Sequence, residues 1–134
     1  MRRIENESDL KSFAASLACE FKPGDRVALV GDLGAGKTSL VRSILTALGW
    51  TDPVASPTYS LMIEYPLGEF RVVHIDLYRL NEPPPWDWNE FLKDLVFVEW
   101  PKEAIVPEAY FTHRIEIEVE GELRKIRVIP LNPK

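Results

Sequence analysis

The chain contains a single cysteine, Cys19, so no internal disulfide can form and nothing points to an oxidising compartment. It has no run of about 20 apolar residues and no signal-peptide pattern, and so offers no candidate for a membrane span. The expectation is a soluble, cytoplasmic protein with no membrane partner. A basic excess is missing too: 16 Lys and Arg against 21 Asp and Glu give a formal net charge of −5. That argues against sequence-blind binding to DNA through a basic face. Histidine is scarce, and His74 and His113 have no partner at metal-ligand spacing. Glycine is sparse as well, with seven residues in 134, yet Gly31, Gly34 and Gly36 fall within six consecutive positions. Such a cluster surrenders backbone entropy that an ordinary corner has no need to lose.

What is present is a globular balance, 46% hydrophobic and 28% charged, enough to fold without disulfide or metal staples. The length fits one domain, residues 1–134, on the scale of about 150 residues per domain. Leu10, Phe13, Ala14, Leu17, Ala18 and Phe21 recur at helical spacing, predicting a helix over 8–21 capped by Ser8 or Asp9, in which Cys19 reads as a small packing residue. After "KPGDR", the apolar run Arg26 to Val30 lacks alternation and suits a parallel strand buried on both faces. A second helix is expected over 38–48, ended by Gly49. Runs at 59–65 and 70–76 predict a hairpin, 89–94 a short helix, and 95–100 a buried strand. The alternating end, "THRIEIEVEGELRKIRVIPL", predicts an antiparallel hairpin with a solvated charged face. The implied fold is α/β, a mixed parallel and antiparallel sheet flanked by helices, with a C-terminal β-hairpin.

The glycine cluster belongs to G-D-L-G-A-G-K-T, Gly31 to Thr38, which matches G-x-x-x-x-G-K-[ST] between an expected strand and an expected helix. In that setting the backbone N–H groups of Asp32, Leu33, Gly34, Ala35 and Gly36 converge on phosphate oxygens at a helix N-terminus. Lys37 would reach the β- and γ-phosphates, Thr38 would ligate Mg2+, and Ser39 would help the helix start or touch the α-phosphate. Magnesium needs hard oxygen partners at a neighbouring strand end. Asp76 ends "FRVVHID" and Glu99 ends "LVFVE"; either could serve the metal, directly or through water, while the other orients the attacking water. "ASPTY" stands where Ser56 or Thr58 could cover the γ-phosphate, although spacing alone reads it as a plain proline turn. Trp100 could pack a core or stack on a base or a partner; Trp86 and Trp88, in "NEPPPWDWNE", look more like partner contacts.

Three activities fit a phosphate loop in so short a chain: a small kinase, a nucleotide-gated binding module, and an ATPase. A kinase needs an arginine-bearing lid to shield transfer from water. The arginines here, Arg42, Arg71, Arg79, Arg114, Arg124 and Arg127, are scattered, with no lid-sized insertion. The same scatter predicts slow turnover in the isolated protein, since no arginine finger is evident. The guanine-reading N-K-x-D motif is absent.

"GDLGAGKTS", "SPTYSL", "HIDLYRL" and "VEWP", in this order, resemble the TsaE (YjeE) family of bacterial ATPases required for threonylcarbamoyladenosine modification of tRNA. The resemblance spans roughly residues 10–105. It implies a P-loop α/β fold and weak intrinsic hydrolysis of ATP to ADP and phosphate. Work alongside TsaD and TsaB, which transfer threonylcarbamoyl to tRNA adenosine, is also implied, with tRNA met only through that complex. It places Lys37 and Thr38 on ATP and Mg2+, Thr58 in a switch-like segment, Asp76 and Glu99 as the acidic pair, and Trp100 beside that glutamate.

Overall fold

Strands that carry apolar residues at every position need cover on both faces, and the fold supplies it. The computed structural model describes residues 2–32, 34–55, 57 and 61–131. Its elements run β1 (Arg2–Ile4), α1 (Glu7–Glu20), β2 (Arg26–Val30), α2 (Lys37–Ala47), β3 (Met62–Leu67), β4 (Phe70–Asp76), β5 (Leu95–Glu99), β6 (His113–Glu120) and β7 (Leu123–Pro130). One seven-stranded sheet has the order β1-β7-β6-β2-β5-β4-β3. The central pairs β6·β2, β2·β5 and β5·β4 are parallel, and the outer pairs are antiparallel. This is the mixed α/β sheet, with its C-terminal hairpin, that the sequence pattern implies.

Alternate residues serve opposite faces. Val27, Leu29, Val72, Leu95, Phe97 and Ile115 pack beneath Leu10, Phe13 and Leu17 of α1 and Leu40, Val41, Ile44 and Leu45 of α2. Ala28, Val73, Ile75, Val96 and Val98 face the other way, against Phe91, Val106, Tyr110 and Phe111. Full burial of each such aliphatic or aromatic side chain contributes about 1.5–3 kcal/mol. Both faces of the parallel centre are therefore dry, which explains strands without polar alternation.

Several boundaries shift for local reasons. Helix α1 is capped by Asn6, not by Ser8 or Asp9: the Asp9 N–H donates to Asn6 Oδ1 at 2.9 Å, and Asp9 Oδ2 accepts from the Glu5 N–H at 2.9 Å. These reciprocal bonds form a capping box shifted upstream. Asn6→Ala is expected to lower unfolding free energy by about 1 kcal/mol, read as a lower urea midpoint at unchanged slope. Strand β1 has no periodic signature, since three edge residues pairing with β7 are too few to show one. The helix expected over 89–94 is only a 3-10 turn, Trp88–Phe91, capped by Asp87. Before a second turn can form, Asp94 is drawn off, its carbonyl accepting from Gly24 N–H at 2.9 Å and its carboxylate meeting Arg71 Nε at 3.0 Å.

Two side-chain expectations also change. Cys19 is exposed on α1 and contributes nothing to packing there. Trp86 and Trp88 are half-buried in an aromatic group, edge-on to each other at 5.8 Å, with Trp88 5.3 Å from Tyr110 and its Nε1–H donating to the Ile105 carbonyl at 3.1 Å. Their contacts are with this chain's own second core. The start of the expected 59–65 run lies outside the described residues; its remainder forms β3, paired to β4 around Gly68.

Candidate functional site

The two α-helices among the described residues begin in opposite ways. At α1 a side-chain cap and two acids, Glu7 and Asp9, quench the exposed N–H groups and the positive helix end. At α2 the cap is Gly36, with φ at 101°, no side-chain cap bond and no acid in the first turn. That end is left bare where the chain bends most tightly out of β2. A Cβ at Gly31 would sit 2.8 Å from the Ile117 carbonyl oxygen, so glycine is obligatory there for space. Gly34, with φ at 79°, and Gly36 need their freedom for backbone angle. Ala35 is buried against the core and anchors the loop, closed by an Ala35 N–H bond to the Asp32 carbonyl at 3.0 Å. Leu33 and Thr58, named from the sequence as nucleotide contacts, lie outside the described residues, as does Ser56.

Because β2, β5 and β4 are parallel, their carboxyl ends meet at one edge, the edge where open α/β sheets bind ligands. Leu29 stands beside Glu99, and Glu99 beside Asp76, in register. Period-two geometry sends Val72, His74 and Asp76 of β4 to the same face as Leu95, Phe97 and Glu99 of β5. The two acids therefore emerge side by side, on the helix face, at the start of α2. Both are almost fully buried, 4% exposed each.

Contacts there are short and specific. The Thr38 hydroxyl donates to Glu99 Oε2 at 2.9 Å, and His74 Nε2 approaches the same oxygen at 2.5 Å. The other ring nitrogen, His74 Nδ1, is also buried and has no hydrogen-bond partner among the described residues. Asp76 Oδ1 accepts from the Tyr78 N–H at 2.8 Å. Lys37 folds back over its own loop, donating to the Gly31 carbonyl at 2.6 Å and the Asp32 carbonyl at 3.0 Å, with Nζ 4.2 Å from the centre of the Trp100 ring. Burial pushes its ammonium below the usual lysine range, against the pull of Glu99, Asp76 and Asp32. Trp100 holds a left-handed backbone, φ 56°, and its ring packs 4.9 Å from Tyr78. A cleft of about 280 Å³ joins Gly34, Gly36, Lys37, Thr38, Ser39, Asp76, Glu99, Trp100 and Arg124.

Sequence reasoning missed two of these neighbours. The acid nearest His74 in the chain is Asp76, two residues on, but the hydrogen-bond partner of the ring is Glu99, 25 residues away. The pairing of "HID" beside "VE" as parallel strands is the signal that would have found it. Arg124 sits in a hairpin expected to be plain solvated surface, and no one-dimensional signal brings it to the loop. Of the scattered arginines, Arg124 lines this cleft.

Among the described residues no three His, Cys, Asp or Glu side chains gather into a metal site. What the edge offers is two carboxylates and a hydroxyl, all hard oxygens. That set fits an ion such as Mg2+, which takes one or two carboxylates and completes its shell with substrate phosphates and water.

Comparison with known proteins decides the ancestry. The sequence matches the family described as "Threonylcarbamoyl adenosine biosynthesis protein TsaE" over residues 4–128. The chain belongs to the TsaE family. A TsaE from Aquifex aeolicus is 35% identical over 129 residues, covering 93% of this chain and 92% of that protein. TsaE from Nostoc is 35% identical, covering 81% and 72% respectively, and TsaE from Haemophilus influenzae 37% identical, covering 77% and 68%. All three are described as tRNA threonylcarbamoyladenosine biosynthesis proteins. The crystal structure of Bacillus subtilis YdiB superposes with a TM-score of 0.76 at 28% identity, covering 98% of this chain and 84% of that one, in agreement with an α/β P-loop fold. TsaE membership thus rests on sequence and fold together. Among the described residues no helix is long and apolar enough to cross a membrane.

Proposed function

We propose that this TsaE-family chain is a Mg2+-dependent ATPase that hydrolyses ATP to ADP and phosphate and supports threonylcarbamoyladenosine modification of tRNA in the cytoplasm, together with TsaB and TsaD. The observation that carries the reading is the uncapped start of α2, where Lys37 and Thr38 stand directly beside Glu99 and Asp76. Bare N–H groups and a positive helix end are a ready anion site, and the flanking acids would repel a lone anion unless a cation came with it. A metal–triphosphate satisfies both demands.

In this reading, the N–H groups from Asp32 to Gly36, with that of Leu33 among them, grip the phosphate chain, and Lys37 leaves the Gly31 and Asp32 carbonyls to contact the β- and γ-phosphates. Thr38 with one of Glu99 and Asp76 would hold Mg2+, directly or through water, and the ion would offset the charge of the phosphate oxygens. Ser39 extends the grip towards the α-phosphate, Thr58 covers the γ-phosphate, and Trp100 flanks the nucleotide. In hydrolysis a water oxygen bonds to the γ-phosphorus while the bond to the β,γ-bridging oxygen breaks, that oxygen keeping the electron pair. Whichever of Glu99 and Asp76 is not on the metal orients the water and takes its proton. On binding, Lys37 would exchange two carbonyl bonds for phosphate bonds, which costs affinity; turnover alone is slow for lack of an arginine finger, a part the partners would supply.

The test is phosphate release from ATP and from GTP, for the protein alone and with TsaB, TsaD and tRNA. The expected result is slow ATP hydrolysis alone, at least ~10-fold faster with the partners, and little activity on GTP. Fast hydrolysis by the isolated chain would contradict partner dependence, and no phosphate release in any mixture would remove the ATPase assignment.

A further inference from the structure

Strand β4 is apolar and fully buried at Val72, Val73 and Ile75, and His74 stands among them at 0% exposure. Stability alone would favour another aliphatic side chain there, because an imidazole carries two polar atoms into a dry core and its Nδ1 has no hydrogen-bond partner among the described residues. What histidine adds is reach. Its registered neighbour on β5 is Phe97, two residues before Glu99 on the same face, and the ring extends along that diagonal until Nε2 lies 2.5 Å from Glu99 Oε2.

Glu99 needs holding more than Asp76 does. Asp76 has the shorter side chain, and its Oδ1 accepts from the Tyr78 N–H within its own loop. Glu99 has one more rotatable bond to fix, and among the described residues both hydrogen bonds of its carboxyl, with Thr38 and with His74, fall on Oε2 and none on Oε1. The two braces differ in kind. Thr38 belongs to the start of α2, which phosphate and metal would engage, whereas His74 is set in the sheet between β3 and β5. Its contact constrains the carboxyl whichever partner carries the shared proton.

We propose that His74 is a positioning residue: through Nε2 it anchors Glu99 Oε2, so that Oε1 is presented to metal or water in a fixed orientation. The inference rests on the ATPase reading above and deepens it at one of its two acids. His74 touches neither nucleotide nor metal in this arrangement. Its removal therefore leaves the grip on the phosphates intact and impairs only what Glu99 does.

The experiment compares wild type, His74→Leu, His74→Gln, Glu99→Gln and the His74→Leu/Glu99→Gln double variant. Each is read by ATP hydrolysis with TsaB, TsaD and tRNA, by calorimetry of ADP with and without Mg2+, and by thermal melts. His74→Leu is expected to lower kcat ~10- to 100-fold while leaving KM for ATP within a few-fold of wild type. Metal-free ADP should bind it as tightly as wild type, and the gain in ADP affinity on adding Mg2+ should shrink in step with that of Glu99→Gln. His74→Gln, whose amide reaches nearly as far as Nε2, should recover most of the loss, which a purely steric role would not give. In the Glu99→Gln background, His74→Leu should cost nothing further, since no carboxylate is left to position. Losses that multiply in the double variant, or wild-type turnover by His74→Leu, overturn the inference while leaving the ATPase reading intact. A lower Tm with weaker metal-free ADP binding, unrescued by glutamine, marks a structural role and overturns it too. Wild-type protein that binds ADP but releases no phosphate in any mixture removes the ATPase reading; a magnesium gain in His74→Leu equal to that of wild type then overturns this inference as well, and one reduced to that of Glu99→Gln supports it.

Discussion

Lys37→Ala is expected to abolish measurable nucleotide binding, with affinity for Mg-ATP falling at least ~100-fold, about 3 kcal/mol. The size follows from what the side chain does in each state. Without nucleotide, Lys37 is almost fully buried and held by the Gly31 and Asp32 carbonyls and the Trp100 ring, so its charge is already satisfied. With nucleotide, the same ammonium would neutralise the most highly charged end of the triphosphate in a desolvated cleft, where charge-assisted bonds are strongest. Removing it leaves Glu99 and Asp76 facing those phosphates without its counter-charge. Calorimetry with Mg-ATP reads the loss. A thermal melt separates it from unfolding, because the variant also loses two bonds that brace the loop and should melt a few degrees lower. Retained micromolar binding would mean that the loop does not hold the phosphates.

The parts of this molecule that can be read in one dimension are those whose physics is local. Gly31 to Thr38 declares itself because tight curvature and bare backbone need particular residues at fixed offsets. Apolar runs such as "LVFVE" declare a buried parallel strand, and both faces of β5 are indeed covered. Asp76 and Glu99 could be named as strand-end acids, and the fold brings them side by side in register. What the sequence leaves hidden depends on which strands become neighbours. His74 acquires its partner only when β4 lies parallel to β5, and Arg124 reaches Gly36 only because the C-terminal hairpin adds to β2 through β6. Capping by Asn6 is missed for a different reason: Ser8 and Asp9 are equally good caps by composition, and the reciprocal Glu5–Asp9 bond decides among them. Trp86 and Trp88 look difficult to bury beside three prolines until the second core, with Phe91 and Tyr110, gives them somewhere to pack.

Glu99→Gln should show the reverse of the lysine result, leaving ATP binding within a few-fold of wild type while hydrolysis in the presence of TsaB, TsaD and tRNA falls ~100-fold or more. The carboxylate stands where three demands meet. It takes the Thr38 hydroxyl and His74 Nε2 on one oxygen, and it neighbours Asp76 in the adjoining strand. An amide of the same shape preserves packing in a site that is 4% exposed but supplies neither the negative charge for a metal nor a base for water. Asp76→Asn is expected to behave likewise, and comparison of the two variants resolves which acid serves the metal. For the acid that ligates Mg2+, the magnesium concentration needed for half-maximal turnover rises and the advantage of Mg-ATP over metal-free ATP in binding shrinks. For the acid that orients water, magnesium dependence is unchanged and only the rate constant falls. Glu99 bonds the hydroxyl of Thr38, the other proposed Mg2+ ligand, so its variant should show the larger change in magnesium dependence. Hydrolysis by both variants at the wild-type rate, with partners present, would remove the acidic pair from the chemistry and leave the cleft as a nucleotide-binding site without turnover.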